Sequence, residues 1–189
     1  MRIVSKNLTR AAATAALLII SSNSMATNDG LLGAESVGDL DITLSIPDLV
    51  QVSNLDDIDL GEFSGASLSG ELGVCIYRNG SGSYGIEFEA SSDSGNVDSA
   101  RGTEGYTLAN SSDDVIPYTV DFEDSAAGAY TDTGIAINTP LTSQVGDGTD
   151  PTCGGSTNAK VRVNVDEADL STAPTGNYFG TLYLIVSPE

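Results

Sequence analysis

Few side chains in this sequence could do chemistry, and most of them are carboxylates. The chain has 27 Asp and Glu residues, two cysteines and no histidine. Without histidine, the Ser–His–Asp and Cys–His arrangements of nucleophilic catalysis and the usual zinc sites are excluded. The sequence also has no glycine-rich phosphate loop followed by Lys-Ser/Thr, and no G-x-S-x-G turn. These residues predict a protein that is not an enzyme and that needs no cofactor.

The carboxylates occur in runs, at residues 56–62, 113–114 and 121–124. Two carboxylates can act as acid and base in glycoside hydrolysis, but such pairs arise by chance in a chain this acidic. Residues 147–150, D-G-T-D, offer the oxygen ligands that Ca²⁺ prefers, although their spacing does not match an EF-hand loop. We interpret the acidic runs as solvated charge, and a calcium site at residues 147–150 is the alternative.

The first residues of the chain predict a secreted protein. Residues 1–26 have a positively charged start, an apolar run and the small-residue pattern Ser24-Met25-Ala26, as in a signal peptide. The apolar run is far shorter than the roughly 20 residues of a membrane-spanning helix, so we do not expect an integral membrane protein. In a secreted chain the two cysteines, Cys75 and Cys153, predict a disulfide.

Removal of residues 1–26 would leave four Arg and Lys residues against 27 Asp and Glu residues, a net charge of −23. A charge of this size repels nucleic acids and anionic membrane surfaces, so neither is expected as a partner. Salt screens such self-repulsion beyond about 10 Å, and salt-rich surroundings are therefore a sufficient explanation of the acidity.

Short runs of alternating apolar and polar residues predict an all-β, immunoglobulin-like β-sandwich without helices after the signal peptide. Residues 72–78 and 83–89 are predicted to form a hairpin, because the Asn-Gly-Ser-Gly link between them tolerates positive φ. The last strand, residues 177–187, is the most apolar and is expected to be central and covered on both faces. The other predicted strands are residues 40–46, 49–52, 115–122, 135–137 and 161–165.

The stretch at residues 38–47, G-D-L-D-I-T-L-S-I-P, has one apolar face when it is extended. Its apolar side chains alternate with Asp, Thr and Ser, as in a half-buried strand. Two interpretations fit: the stretch is the first strand of its own sandwich, or it is donated to another copy of the protein.

Two segments resemble the pilin subunits of chaperone–usher pili. Residues 41–50, D-I-T-L-S-I-P-D-L-V, are similar to the donor strand and following strand of class 5 (alternative) pilins. Residues 172–186, T-A-P-T-G-N-Y-F-G-T-L-Y-L-I-V, resemble their C-terminal strand. Class 5 major pilins lack the cysteine pair, which points toward the archaic, spore-coat-U-like branch. The middle of the chain has no residue-level match.

The resemblance implies a sandwich that lacks its last strand and has a groove beside the C-terminal strand. In such pilins a periplasmic chaperone fills the groove until, at an outer-membrane usher, the N-terminal strand of the next subunit replaces it. The implied domains are a signal peptide at 1–26, an extension with the donor strand at 27–47 and the pilin-like sandwich at 48–189. The implied donor residues are Leu40, Ile42, Leu44 and Ile46, and the residues that line or flank the acceptor groove are Leu182, Leu184 and Val186.

We therefore expect a structural subunit of a secreted surface pilus or fimbria, with a role in adhesion or biofilm formation. Its expected partners are copies of itself or sister pilins, the chaperone and the usher. The alternative is a self-contained, secreted, acidic β-sandwich that binds a glycan or acts as a calcium-dependent adhesin domain. That protein would close its sandwich with its own first strand and would be a stable monomer.

Overall fold

The structure is a computed structural model that describes residues 27–92 and 105–189. The predicted signal peptide at residues 1–26 lies outside the described residues. The chain divides into two units, one ending at Ile46 and the other comprising Pro47–Glu189. The second unit contains β1 (Val50–Ser53), β2 (Leu68–Arg78), β3 (Tyr84–Ser91), β4 (Thr107–Ala109), β5 (Val115–Pro117), β6 (Thr119–Glu123), β7 (Leu141–Gln144), β8 (Ala159–Val165), α1 (Glu167–Thr172) and β9 (Thr181–Pro188).

The strands form two antiparallel sheets that pack face to face, which confirms the predicted all-β sandwich. One sheet has the order β1-β2-β8-β6 and the other the order β7-β3-β9, while β4 and β5 form a small separate sheet. The core lies between the sheets, where the rings of Phe88 and Phe122 are 5.8 Å apart. It is built from the inward-facing residues of each alternating run, including Val74, Ile76, Tyr84, Ile86, Val120, Val161 and Val163.

The predicted hairpin of residues 72–78 and 83–89 is wrong, because β2 and β3 belong to different sheets. The link after β2 reverses the chain, with Gly80 at φ 78°, and carries it across the core. Both strands bury an apolar face, Ile76 on β2 and Ile86 on β3, each fully buried. The turn permits a reversal of the chain but does not decide whether the two strands pair edge to edge or face each other across the core; here they face each other.

The predicted single strand at residues 115–122 is divided at its proline. β5 ends at Pro117 and pairs with β4, whereas β6 begins at Thr119 and pairs with β8. Proline has no N–H for a ladder, so pairing stops there and the chain changes sheet. The prediction that Ile116, Tyr118, Val120 and Phe122 share one apolar face is confirmed, since all four are buried.

Three further expectations differ from the structure. The predicted strand at residues 135–137 is absent: Ile135 is buried without a strand, and β7 lies further along the chain. A six-residue helix, α1, was not expected; Asp166 caps it by accepting a hydrogen bond from the backbone N–H of Ala168 at 2.9 Å. The last strand, β9, is not central, because in the described part of the chain it pairs only with β3.

The predicted disulfide between Cys75 and Cys153 is confirmed. It joins residues 78 positions apart, one in β2 and one in the short 3₁₀ turn Cys153–Gly155 before β8. Cys75 is fully buried, so the bond lies against the core and fastens the turn to the four-stranded sheet.

Candidate functional site: the groove beside the last strand

The predicted donor residues lie in the first unit, where residues 40–46 form no strand. In the single chain the sandwich therefore begins with β1. That residues 40–46 become a strand in the groove of another copy stays a prediction. An extended segment needs a neighbouring strand for its backbone hydrogen bonds, and a single strand is not stable in water. The four apolar side chains are largely exposed, by 70% for Leu40, 89% for Ile42, 84% for Leu44 and 72% for Ile46.

The second unit has an open groove with a volume of about 500 Å³. Three parts of the sandwich line it. The first is residues 180–185 at the start of β9, the second is residues 55–60 after β1, and the third is a set of inward-facing apolar side chains. These apolar side chains include Leu72 of β2, Val161 and Val163 of β8, Leu108 and Tyr118.

β9 forms the edge of its sheet beside this groove. It pairs with β3 over eight residues, from Tyr84↔Pro188 to Ser91↔Thr181. In the described residues no second strand pairs with β9, and its residues 182–186 are only half-buried. An edge strand offers one row of N–H and C=O groups to a further strand, so this side of β9 can accept an extended segment.

The structure places the predicted acceptor residues along β9. Leu182 and Leu184 line the groove and pack against the core. Val186 packs against the core one pair further along the strand and is not among the residues that line the groove. These three residues thus share one face of β9, and their role as acceptor residues stays a prediction.

Residues 55–60 are the part of the groove that the sequence analysis missed. Ile58 and Leu60 pack against the core above Gly70 of β2, where the absence of a side chain makes room for both. Their alternation with Asp57 and Asp59 was visible in the sequence, but the backbone here forms no regular strand. The neighbouring glycine lets this segment lie close to the sheet, because a side chain at that position would collide with it.

The groove is apolar inside and acidic at its border. Among the described residues, Asp56 and Asp57 are the charged residues that line it, and both are exposed. The described part of the lining contains no cysteine, lysine or arginine. Such a surface suits an extended apolar segment, since it supplies hydrophobic contacts and one strand edge.

In the loop at residues 147–150, the Asp147 carboxylate stabilises a tight turn by accepting hydrogen bonds from the loop itself. Asp147 Oδ1 accepts hydrogen bonds from the N–H and hydroxyl of Thr149, both at 2.7 Å, and from the N–H of Asp150 at 3.2 Å. These bonds lower the pKa of Asp147. Within residues 27–92 and 105–189, no group of three or more Asp, Glu, Cys or His side chains is placed to hold a metal ion.

The fold is an all-β sandwich with an open groove beside its edge strand β9. No family model and no curated protein matches the chain. Four chains of solved structures match it. One belongs to a structure described as "Chaperone-tip adhesin complex is vital for synergistic activation of CFA/I fimbriae biogenesis", with 17% identity and a TM-score of 0.45. The match covers 74% of this chain and 42% of the other, so this chain spans less than half of that chain's length.

A likeness of this size establishes no family for the chain. No helix among the described residues is long and apolar enough to cross a bilayer.

Proposed function

We propose that this protein is a structural subunit of a surface pilus or fimbria, and that it polymerises by strand donation. In this mechanism residues 40–46 of one copy fill the groove beside β9 of another copy. The observation that carries the proposal is that one chain contains an exposed, alternating apolar segment and also an open apolar groove at a strand edge.

The segment and the groove match in length and in chemistry. An extended chain rises about 3.3 Å per residue, so the four donor side chains span roughly 20 Å and residues 180–185, which line the groove, span roughly 17 Å. Alternate side chains of an added strand point to the same face. The donor therefore directs Leu40, Ile42, Leu44 and Ile46 toward the apolar lining and its Asp, Thr and Ser residues toward solvent.

The energy of donation comes mainly from burial. Complete burial of four Leu and Ile side chains is worth about 6–12 kcal/mol before the cost of ordering the segment. The four side chains are 70–89% exposed, so most of this surface is available to a partner. Hydrogen bonds to β9 add affinity and set the register.

The proposal includes helper proteins during export. An open groove beside an unprotected strand edge favours aggregation. A periplasmic chaperone that covers the groove and an outer-membrane usher that exchanges it for the next subunit would prevent this. The assembled fimbria would then act at the cell surface in adhesion or biofilm formation, a structural rather than a catalytic role.

A self-contained binding module is the alternative function, in which residues 40–46 close their own sandwich. The high exposure of Leu40, Ile42, Leu44 and Ile46 favours donation instead, because a closing strand buries its apolar face.

The test uses residues 27–189 with the disulfide intact, run unboiled on a denaturing gel. We expect a ladder of oligomers that boiling converts to monomer. Leu44→Asp should abolish the ladder, because it places a charge on the apolar face of the donor. Ser45→Asp is the matched control: it adds the same charge on the opposite face and should keep the ladder.

A mixing experiment separates donation between chains from closure within a chain. A Leu44→Asp chain lacks a donor, and a Leu184→Asp chain lacks a groove. Each alone should remain a monomer, while their mixture should give a dimer and nothing larger, since only one arm and one groove are competent. A wild-type chain that stays a monomer with a high melting temperature at every concentration would contradict the proposal.

A further inference from the structure

The first residues of the second unit are held by one side chain of the turn that follows β2. The Asn79 amide donates from Nδ2 to the carbonyl of Pro47 at 2.8 Å and accepts at Oδ1 from the N–H of Leu49 at 2.6 Å. The backbone N–H of Asn79 donates to the carbonyl of Leu49 at 3.0 Å. Asn79 therefore makes hydrogen bonds on both sides of Asp48.

The neighbouring Arg78 holds Asp48 itself. Its guanidinium lies 3.4 Å from the Asp48 carboxylate and donates to the carbonyl of Glu189, the residue after β9, at 2.9 Å. Arg78 is only 6% exposed. One buried side chain thus contacts both the start of the second unit and the end of the strand beside the groove.

These contacts lie at the end of β1 that a pull on the preceding chain would load first. β1 has four residues and is the edge of its sheet, paired only with β2 among the described strands. Its first pair is Val50↔Arg78, directly beside the contacts to Asp48. Without these contacts, a pull on the chain before Pro47 would break the hydrogen bonds between β1 and β2 one residue pair at a time. Hydrogen bonds that are loaded one after another resist a force less than bonds that are loaded together.

We infer that Arg78 and Asn79 form a joint at the start of the sandwich that carries tension arriving along the chain from the donor arm, residues 27–46. The inference rests on the proposed function, because strand donation makes each subunit carry tension between its own arm and its β9. The joint takes the tension on several hydrogen bonds at once and passes part of it through Arg78 to the end of β9. All of its named contacts lie within the second unit, so the joint acts on the arm through the covalent chain.

The test is single-molecule pulling on a monomer of residues 27–189, with one handle before the arm and one after Glu189. The first event under load should be the opening of β1. Asn79→Ala should speed this event about tenfold at a given force, because two side-chain hydrogen bonds are lost. Asn177→Ala, at an exposed asparagine outside the joint, is the matched control and should leave the event unchanged.

A second pair of variants keeps the test decisive if Asn79→Ala folds poorly. Asp48→Asn removes the charge that Arg78 contacts and should speed opening about threefold, since the Asp48 side chain is 65% exposed and its ion pair is therefore weak. Asp41→Asn removes one charge from the arm and should have no effect. The two controls, Asn177→Ala and Asp41→Asn, should keep the melting temperature of wild type. Asn79→Ala and Asp48→Asn should lower it by only a few degrees, because the core is untouched.

The outcomes separate the two proposals. Equal opening rates for Asn79→Ala, Asp48→Asn and wild type would overturn the joint, even if the gel ladder forms. If Asn79→Ala and Asp48→Asn open faster than wild type but no gel ladder forms, the joint is a property of the monomer and the pilin proposal is wrong.

Discussion

Asp121 and Arg162 form a close ion pair on the outer face of the four-stranded sheet, with Arg162 Nη2 2.7 Å from Asp121 Oδ2. They are directly opposite on β6 and β8. The carboxylate is 4% exposed and also accepts hydrogen bonds from Asn164 and from the N–H of Gly134, both at 2.8 Å. The ring of Tyr130 lies 4.1 Å from the Arg162 guanidinium. This network fastens the segment after β6 over the sheet.

Arg162→Met should destabilise the fold by about 2–3 kcal/mol, because it leaves a buried carboxylate without its cation. We expect a smaller loss of stability than for a fully buried ion pair, because the Arg162 side chain is 34% exposed. Lys160→Met is the control: its nitrogen lies 3.9 Å from a half-exposed Glu71, and it should cost less than about 1 kcal/mol. Urea unfolding measures both variants, and equal midpoints would contradict the prediction.

The Asp121 carboxylate should also make the stability of the fold depend on pH in the acidic range. Burial alone would raise the pKa of Asp121, but hydrogen bonds from Gly134, Arg162 and Asn164 outweigh it and lower the pKa. A lowered pKa in the folded state means that stabilisation is complete above the unfolded value, about 3.9, and is lost as the pH falls through the folded value. Melting temperatures from pH 7 to pH 2 should fall less steeply below pH 4 in Asp121→Asn than in wild type.

Strand donation should be faster at high salt. Both partners are strongly acidic, with Asp39 and Asp41 on the donor segment and Asp56 and Asp57 at the groove. Salt shortens the range of this repulsion from about 10 Å at 0.1 M to about 3 Å at 1 M. The growth of the gel ladder should therefore be faster in 1 M than in 0.1 M NaCl. A slower growth at high salt would show that attraction between charges guides the encounter.

Calcium chloride distinguishes screening from specific binding in that experiment. At matched ionic strength, calcium and sodium should give similar rates if the carboxylates are solvated charge. A large effect of calcium below 1 mM, at constant ionic strength, would instead indicate a calcium site of the kind considered for residues 147–150.

Gly70→Ala should weaken the sandwich and its groove together. An added Cβ would collide with the side chains of Ile58 and Leu60, so residues 55–60 would be displaced from β2. We expect a loss of about 1–3 kcal/mol in the free energy of unfolding, as for other overpacked sites. Gly105→Ala meets no atom within 4 Å and should change stability by less than about 0.5 kcal/mol. Equal stability of the two variants would show that the segment moves without cost.

The alternating patterns predicted the buried faces well and the sheet partners poorly. Ile116, Tyr118, Val120 and Phe122 are all buried as expected, because a period of two is a local property of an extended chain. The pairing of β2 with β8 joins residues such as Leu72 and Val161, far apart along the chain. A turn such as residues 79–82 is compatible with a hairpin or with a change of sheet, and only the packed core distinguishes them.

The residue chemistry of this protein can be read from its sequence alone: its acidity, the absence of histidine, the cysteine pair and the alternation at residues 40–46. That β9 is an edge strand, and that residues 55–60 border a groove beside it, is visible only in the folded chain. The folded chain also shows that Arg78 and Asn79 hold the start of the sandwich. An alternating apolar pattern in the sequence shows only that one face of the strand is removed from water. Which partner buries that face depends on strands distant in the chain, and here on a position in the sheet that the described strands leave open.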